Sequence, residues 1–104
     1  MDDCIRVYGF GSYFRSGETP NDVDVLILHR DCSLESCHFA ILCKSLLMEK
    51  IPKLDVTMLS QDEQNDLSFI TVGRALLIGI VKKSTMVCDI QKIIEKTLEF
   101  NQLR

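Results

Sequence analysis

"DVDVLILH", residues 22–29, is the stretch on which the fold turns. Side chains alternate across a strand, so Val23, Val25 and Ile27 line one face. Asp22, Asp24, Leu26 and Leu28 line the other. Aspartate is depleted in strands, yet two stand two residues apart where this one begins. Held that close, the carboxylates repel, and burying them is costly unless something neutralises them. A divalent cation is the neutraliser that the pattern calls for.

Working outward, "CIRVYG", residues 4–9, reads as a short strand, with Ile5 and Val7 alternating with Arg6 and Tyr8. Gly9 and Gly11 flank Phe10 and end it. A helical turn over 12–16 begins at Ser12, and "SGETPN" follows as a turn-rich loop. C-terminal to the central strand, Ser33 caps a helix reaching about residue 50, with Glu35 in its first turn. Leu34, Phe39, Ile41, Leu42, Leu46 and Leu47 give that helix a broad apolar face. Pro52 punctuates. "LDVTML", residues 54–59, is a third strand, with Leu54, Val56 and Met58 on one side and Asp55, Thr57 and Leu59 on the other. Ser60 and Glu63 form a capping-box pattern for a helix over about 60–72, ended by Gly73. "ALLIGIV", residues 75–81, is a fourth strand. A last helix spans about 86–101, with Val87, Ile90, Ile94 and Leu98 at near-heptad spacing and Ile93 beside them. The expected fold is α/β (α+β): one domain over residues 1–104, with helices covering a small mixed β-sheet of about four strands.

Composition narrows the function classes. The chain has 104 residues, 46 % hydrophobic and 26 % charged, which suits a globular domain with a modest core. A net charge of −3 argues against bulk electrostatic binding of nucleic acid. No segment approaches the roughly 20 apolar residues of a membrane span. The acidic start "MDDCIRVY" lacks a signal-peptide pattern, so a cytoplasmic location is expected. The five cysteines (4, 32, 37, 43 and 88) show no CxxC spacing and are expected to be reduced. A zinc site among Cys32, Cys37, His38 and Cys43 is disfavoured, because Cys37 and His38 diverge on a helix and Cys43 falls where the pattern wants core. His29 and His38 carry no expected chemistry. Lys53, Arg74 and Lys82–Lys83 read as surface charge, and Met48, Met58 and Met86 as filler.

Three aspartates in strand-leading positions carry the candidate chemistry. If the strands at 22–29 and 54–59 are neighbours, Asp22, Asp24 and Asp55 converge at one sheet edge. Carboxylate oxygens suit hard cations, Mg²⁺ or Mn²⁺. Two ions ~3.5–4 Å apart can activate a hydroxyl and stabilise a leaving pyrophosphate. Gly11 lets phosphate approach the backbone, and free N–H groups with the Ser12 hydroxyl can hold its oxygens. Arg15, one helical turn on, can bind the same phosphates through two donors.

"GSYFRSGETPNDVDVLIL", residues 11–28, resembles the nucleotidyltransferase signature of the DNA polymerase beta superfamily: Gly-Ser, about ten residues, Asp-hydrophobic-Asp, then a third acid on a later strand. The short length and Arg15 are most similar to the minimal nucleotidyltransferases (MNT proteins), and the resemblance spans residues 5–78. Ser16 stands where those proteins often have glycine. The resemblance implies that Gly11, Ser12 and Arg15 bind the triphosphate of ATP and that Asp22 and Asp24 hold two Mg²⁺ ions. It implies that Asp55 ligates the catalytic ion and helps take the acceptor's proton. It further implies AMP transfer from ATP to a hydroxyl, such as a tyrosine of a partner HEPN-type toxin, with the chain acting as antitoxin. The alternative is a non-catalytic antitoxin that neutralises its partner by contact. An antibiotic-modifying enzyme is a weaker option, since no acceptor-gripping domain is present. A shallow site on an open sheet edge calls for a second chain, a HEPN-type partner or another copy, with the 86–101 helix as one docking surface.

Overall fold

A computed structural model of the chain describes residues 3–15 and 22–102. The loop expected over 16–21, including Ser16, Gly17 and Pro20, lies outside the described residues. The elements run β1 (Cys4–Phe10), α1 (Ser12–Arg15), β2 (Val23–His29), α2 (Leu34–Lys50), β3 (Leu54–Ser60), α3 (Gln61–Leu67), α4 (Phe69–Val72), β4 (Leu76–Lys82) and α5 (Met86–Gln102), with a 3₁₀ turn over Lys83–Thr85 before α5. The four strands form one mixed sheet in the order β3-β2-β1-β4. β1 pairs antiparallel with both β2 and β4, whereas β2 and β3 are parallel. The radius of gyration is 13.2 Å, that of a compact chain of this length.

Both faces of β2 are buried, as its apolar run requires. Val23, Val25 and Ile27 join Ile5, Val7, Ile78 and Val81 in the main core beneath α2 and α5. Leu26 and Leu28 form a smaller cluster with Leu59 on the outer face, covered by Phe69 and Ile70. Ile5, Leu26, Ile27 and Leu47 are almost wholly buried. Each contributes about 1.5–3 kcal/mol through removal of its side chain from water.

α2 is the crossover that makes β2 and β3 parallel. Its 17 residues span roughly 25 Å at helical rise, about the length of a seven-residue strand, so the chain returns to the starting end of β2 before β3 begins. The Ser33 cap is present: its hydroxyl accepts from the Ser36 amide at 3.2 Å. The expected broad apolar face is not. Leu34 is 88 % exposed, and Ile41 and Leu42 are exposed too. The buried stripe is Ser36, Phe39, Ala40, Cys43 and Leu47, a 3–4 spacing that admits small residues where the helix approaches the sheet. Ser36 is tolerated there because its hydroxyl is 3.1 Å from His29 Nδ1 and 3.2 Å from the Asp31 amide.

The helix expected over 60–72 is broken. The Ser60–Glu63 capping box forms as anticipated. At Ser68, however, the backbone turns left-handed (φ 51°) and its N–H closes on the Gln64 carbonyl at 2.7 Å. The break redirects α4, so that Phe69 meets Phe10 edge-on with ring centroids 5.0 Å apart. Burial of Phe69 and Ile70 against the outer sheet face outweighs helix continuity. α5 departs from the expected stripe as well. Ile90, Ile93 and Ile94 are buried, but Val87 is 71 % exposed and Leu98 is exposed. Thr97 takes the core position instead: its hydroxyl donates to the Ile93 carbonyl at 2.7 Å, and its own carbonyl accepts from Tyr13. α5 therefore covers the sheet with its apolar side. No helix among the described residues is long and apolar enough to cross a membrane.

Cys43 lies in the core, and burial raises its thiol pKa to about 12. Cys32 and Cys88 are exposed. An aromatic disulfide reagent at pH 8 is expected to titrate Cys32 and Cys88 promptly and Cys43 only as the chain unfolds. Peptide mapping at timed quenches checks this; fast labelling of Cys43 in the native protein would contradict its placement.

Candidate functional site

The parallel pairing of β2 and β3 sets Asp24 directly beside Asp55 in the strand register. Asp22 precedes β2 by one residue and shares the face of Asp24 by strand periodicity. On the other side of β2, Phe10 is the register partner of Asp24, so the chain leaves β1 at Gly11 immediately beside that carboxylate. Gly11 adopts φ +78°, a left-handed conformation. A Cβ placed on it would lie 2.6 Å from Asp24 Oδ2. The Gly-Ser turn and the Asp-x-Asp strand, ten residues apart in sequence, are in contact.

Electrostatics agree with this crowding. The Asp24 carboxyl titrates above the ordinary aspartate range, first because it is partly buried, then because Asp55 and Asp22 repel its charged form. Asp22 and Asp55 are exposed. The three acids are neighbours, yet among the described residues no group of three or more His, Cys, Asp or Glu side chains is drawn into a metal-ligating cluster. Carboxylate oxygens are the donor type that hard cations take, and Asp24 is raised in pKa by its burial and by its two acidic neighbours.

What holds α1 beside the acids was not read from the sequence. A four-residue helix cannot sustain itself. Tyr13 and Phe14 anchor it from below. The Tyr13 hydroxyl donates to the Thr97 carbonyl of α5 at 2.8 Å, and Phe14 packs edge-on against Phe100 at 5.0 Å. Both rings are buried. Phe14 also fills the space over Gly9, where a Cβ would come within 2.5 Å of its ring. The signal was an apolar aromatic pair directly after Gly-Ser, on a turn that would otherwise be polar. At the start of β2, the Val23 amide donates to the Lys53 carbonyl at 2.9 Å, which locks the β2 and β3 ends in step. Lys53 itself has φ 60°.

Ser12 opens α1 and is exposed. Arg15 closes α1; the expectation for its side chain lies outside what the structure describes. His29 is buried and structural, with Nδ1 2.9 Å from the Asp31 carbonyl, while His38 is exposed. Lys83 pairs with Glu35 at 3.0 Å, far from the acids. Cys32, Cys37, His38 and Cys43 form no metal cluster. No protein-family model, no curated protein and no solved structure matches the chain.

Proposed function

We propose that the chain is a minimal nucleotidyltransferase with a polymerase-beta-like core, transferring AMP from ATP to a hydroxyl acceptor such as a tyrosine of a HEPN-type toxin partner. The observation that carries this reading is the register of Asp24 with Asp55, with Gly11 seated against Asp24. Gly11 and Ser12, with Arg15, bind the β- and γ-phosphates and present the α-phosphate to the strand ends. Asp22, Asp24 and Asp55 would hold Mg²⁺. Bound there, the ions supply charge neutralisation for a triphosphate and its leaving pyrophosphate. Asp55 accepts the proton as the acceptor oxygen forms its bond to the α-phosphorus. The bond from that phosphorus to the bridging oxygen breaks in line, and pyrophosphate departs on the Gly-Ser side. The tilt of α1, fixed by Tyr13 and Phe14, sets the angle of attack, and such positioning accounts for a large part of the barrier lowering in reactions of this kind.

The chain incubated with α-labelled ATP, Mg²⁺ and a HEPN-type partner tests the proposal. Label is expected on the partner, to vanish with EDTA and in an Asp22→Asn/Asp24→Asn double variant. Neutralisation of the partner without label transfer, undiminished in that variant, would replace the enzyme with a contact antitoxin.

A further inference from the structure

A second site lies on the outer sheet face, at the opposite end of β2 from the acids. A cleft of about 330 Å³ opens there, lined by Arg6, Arg30, Lys82, His29, Leu28 and Ile80 among others. The strand register builds it. Arg6 is the partner of Leu28 on one side and of Ile80 on the other, and Lys82 follows two residues after Ile80 on the same face. Three cations therefore surround an apolar floor. Arg6 lies four register positions from Phe10, the partner of Asp24, which is roughly 13 Å along the strand and a separate location.

Charge alone would not make this a site, because acids stand nearby. Arg30 Nε is 3.0 Å from Asp31 Oδ2, and Arg30 Nη1 is 3.7 Å from Asp3 Oδ2. Asp89 accepts from the Lys82 amide at 3.0 Å. None of these three carboxylates lines the cleft, whereas all three cations do. Asp3 and Asp31 hold the Arg30 guanidinium through its Nη1 and Nε atoms. Arg6 makes no ion pair among the described residues, and Lys82 feels Asp89 only through space, with no ion pair between their side chains. His29 is 7 % exposed. Its Nδ1 is held by the Asp31 carbonyl at 2.9 Å and the Ser36 hydroxyl at 3.1 Å, so the ring forms a fixed wall of the cleft.

We propose that this cleft binds a small phosphomonoester. A phosphate dianion accepts from Arg6, Arg30 and Lys82 at once, which a carboxylate with two oxygens does less completely. Leu28 with Ile80 carries the organic part. The volume of the cleft suits a sugar phosphate.

Two-dimensional amide NMR of the full chain in EDTA, which keeps the aspartate site out of play, tests this. Ribose 5-phosphate is expected to shift the amides of Arg6, His29 and Lys82 saturably, and more tightly than inorganic phosphate at equal ionic strength. Arg6→Gln and Lys82→Gln, both at exposed positions, are each expected to weaken binding about tenfold, the effect of losing one charge-assisted hydrogen bond. Lys96→Gln on α5, outside the cleft, is expected to leave it unchanged. Non-saturable shifts, shifts centred on other residues, or binding indifferent to both cleft variants would each overturn the proposal; preserved spectral dispersion establishes that the variants fold.

Discussion

On the proposed function, Asp24→Asn is expected to lower nucleotidyl transfer by about 10³-fold or more, while raising the thermal midpoint at neutral pH. The first effect follows from removing one carboxylate from the proposed metal site. The second follows from linkage. Asp24 titrates above its ordinary value because burial, Asp55 and Asp22 disfavour the charged form. A carboxyl whose folded pKa is raised contributes its stability at low pH and loses it as pH rises through the folded value. At neutral pH the ionised group is therefore a cost, and asparagine, of the same shape, removes it. The pH dependence separates this from any general effect. Asp31, whose hydrogen bonds from Ser33 and neighbour Arg30 lower it to about 2, behaves oppositely and stabilises above the acid range, as do Glu35 and Glu63 beside Lys83 and Ser60. Those groups are common to parent and variant, so the difference between the two melting curves against pH reports Asp24 together with its coupling to Asp55 and Asp22. It should be small in acid and grow as pH rises past the Asp24 titration. Mg²⁺ should raise the parent's midpoint more than the variant's, because binding to the folded state shifts stability by mass action. A variant no more stable than its parent, with an equal response to Mg²⁺, would mean that the acids are solvated independently and form no site.

Gly11→Ala carries the second large effect. An alanine at φ +78° is strained by about 1–2 kcal/mol. Its Cβ would also stand 2.6 Å from Asp24 Oδ2, inside any tolerable contact. Either the turn or the carboxylate must move. A displacement near 1 Å at a reacting centre costs on the order of 10²-fold in turnover. Denaturant unfolding and steady-state transfer measured together should show both losses. Gly11→Asn separates them. Asparagine tolerates the left-handed region, so stability should partly return, but its Cβ meets the same oxygen and activity should stay low. Full activity in Gly11→Asn would remove the contact between turn and acid from the mechanism.

The two substitutions probe different layers of what could be read in advance. Local periodicity was enough to place the four strands, to put Val23, Val25 and Ile27 on one face and Asp24, Leu26 and Leu28 on the other, and to cap helices at Ser33 and Ser60. Those features depend on residues within one or two turns of each other, where sterics and short-range hydrogen bonds decide. Three readings failed where a distant surface intervened. The helix after Ser60 breaks at Ser68 because Phe69 and Ile70 find the outer sheet face, and Val87 and Leu98 yield the core to Thr97 because Tyr13 reaches its carbonyl from 84 residues away. Leu34, Ile41 and Leu42 stay exposed because α2 packs closely through Ser36, Ala40 and Cys43.

The spacing of residues 9–28 by itself determined that Asp22 and Asp24 share one face of a strand and that a glycine turn follows the strand before them, since strand pleat and glycine stereochemistry are properties of the local chain. Only the tertiary structure decided that Asp55 lies beside Asp24 and that Gly11 touches it. Strand order and register are set by which apolar faces and backbone groups meet across the whole sheet, and no short segment contains both partners. The same long-range pairing gathered Arg6, Arg30 and Lys82 around one cleft, three residues that nothing in their separate neighbourhoods connects.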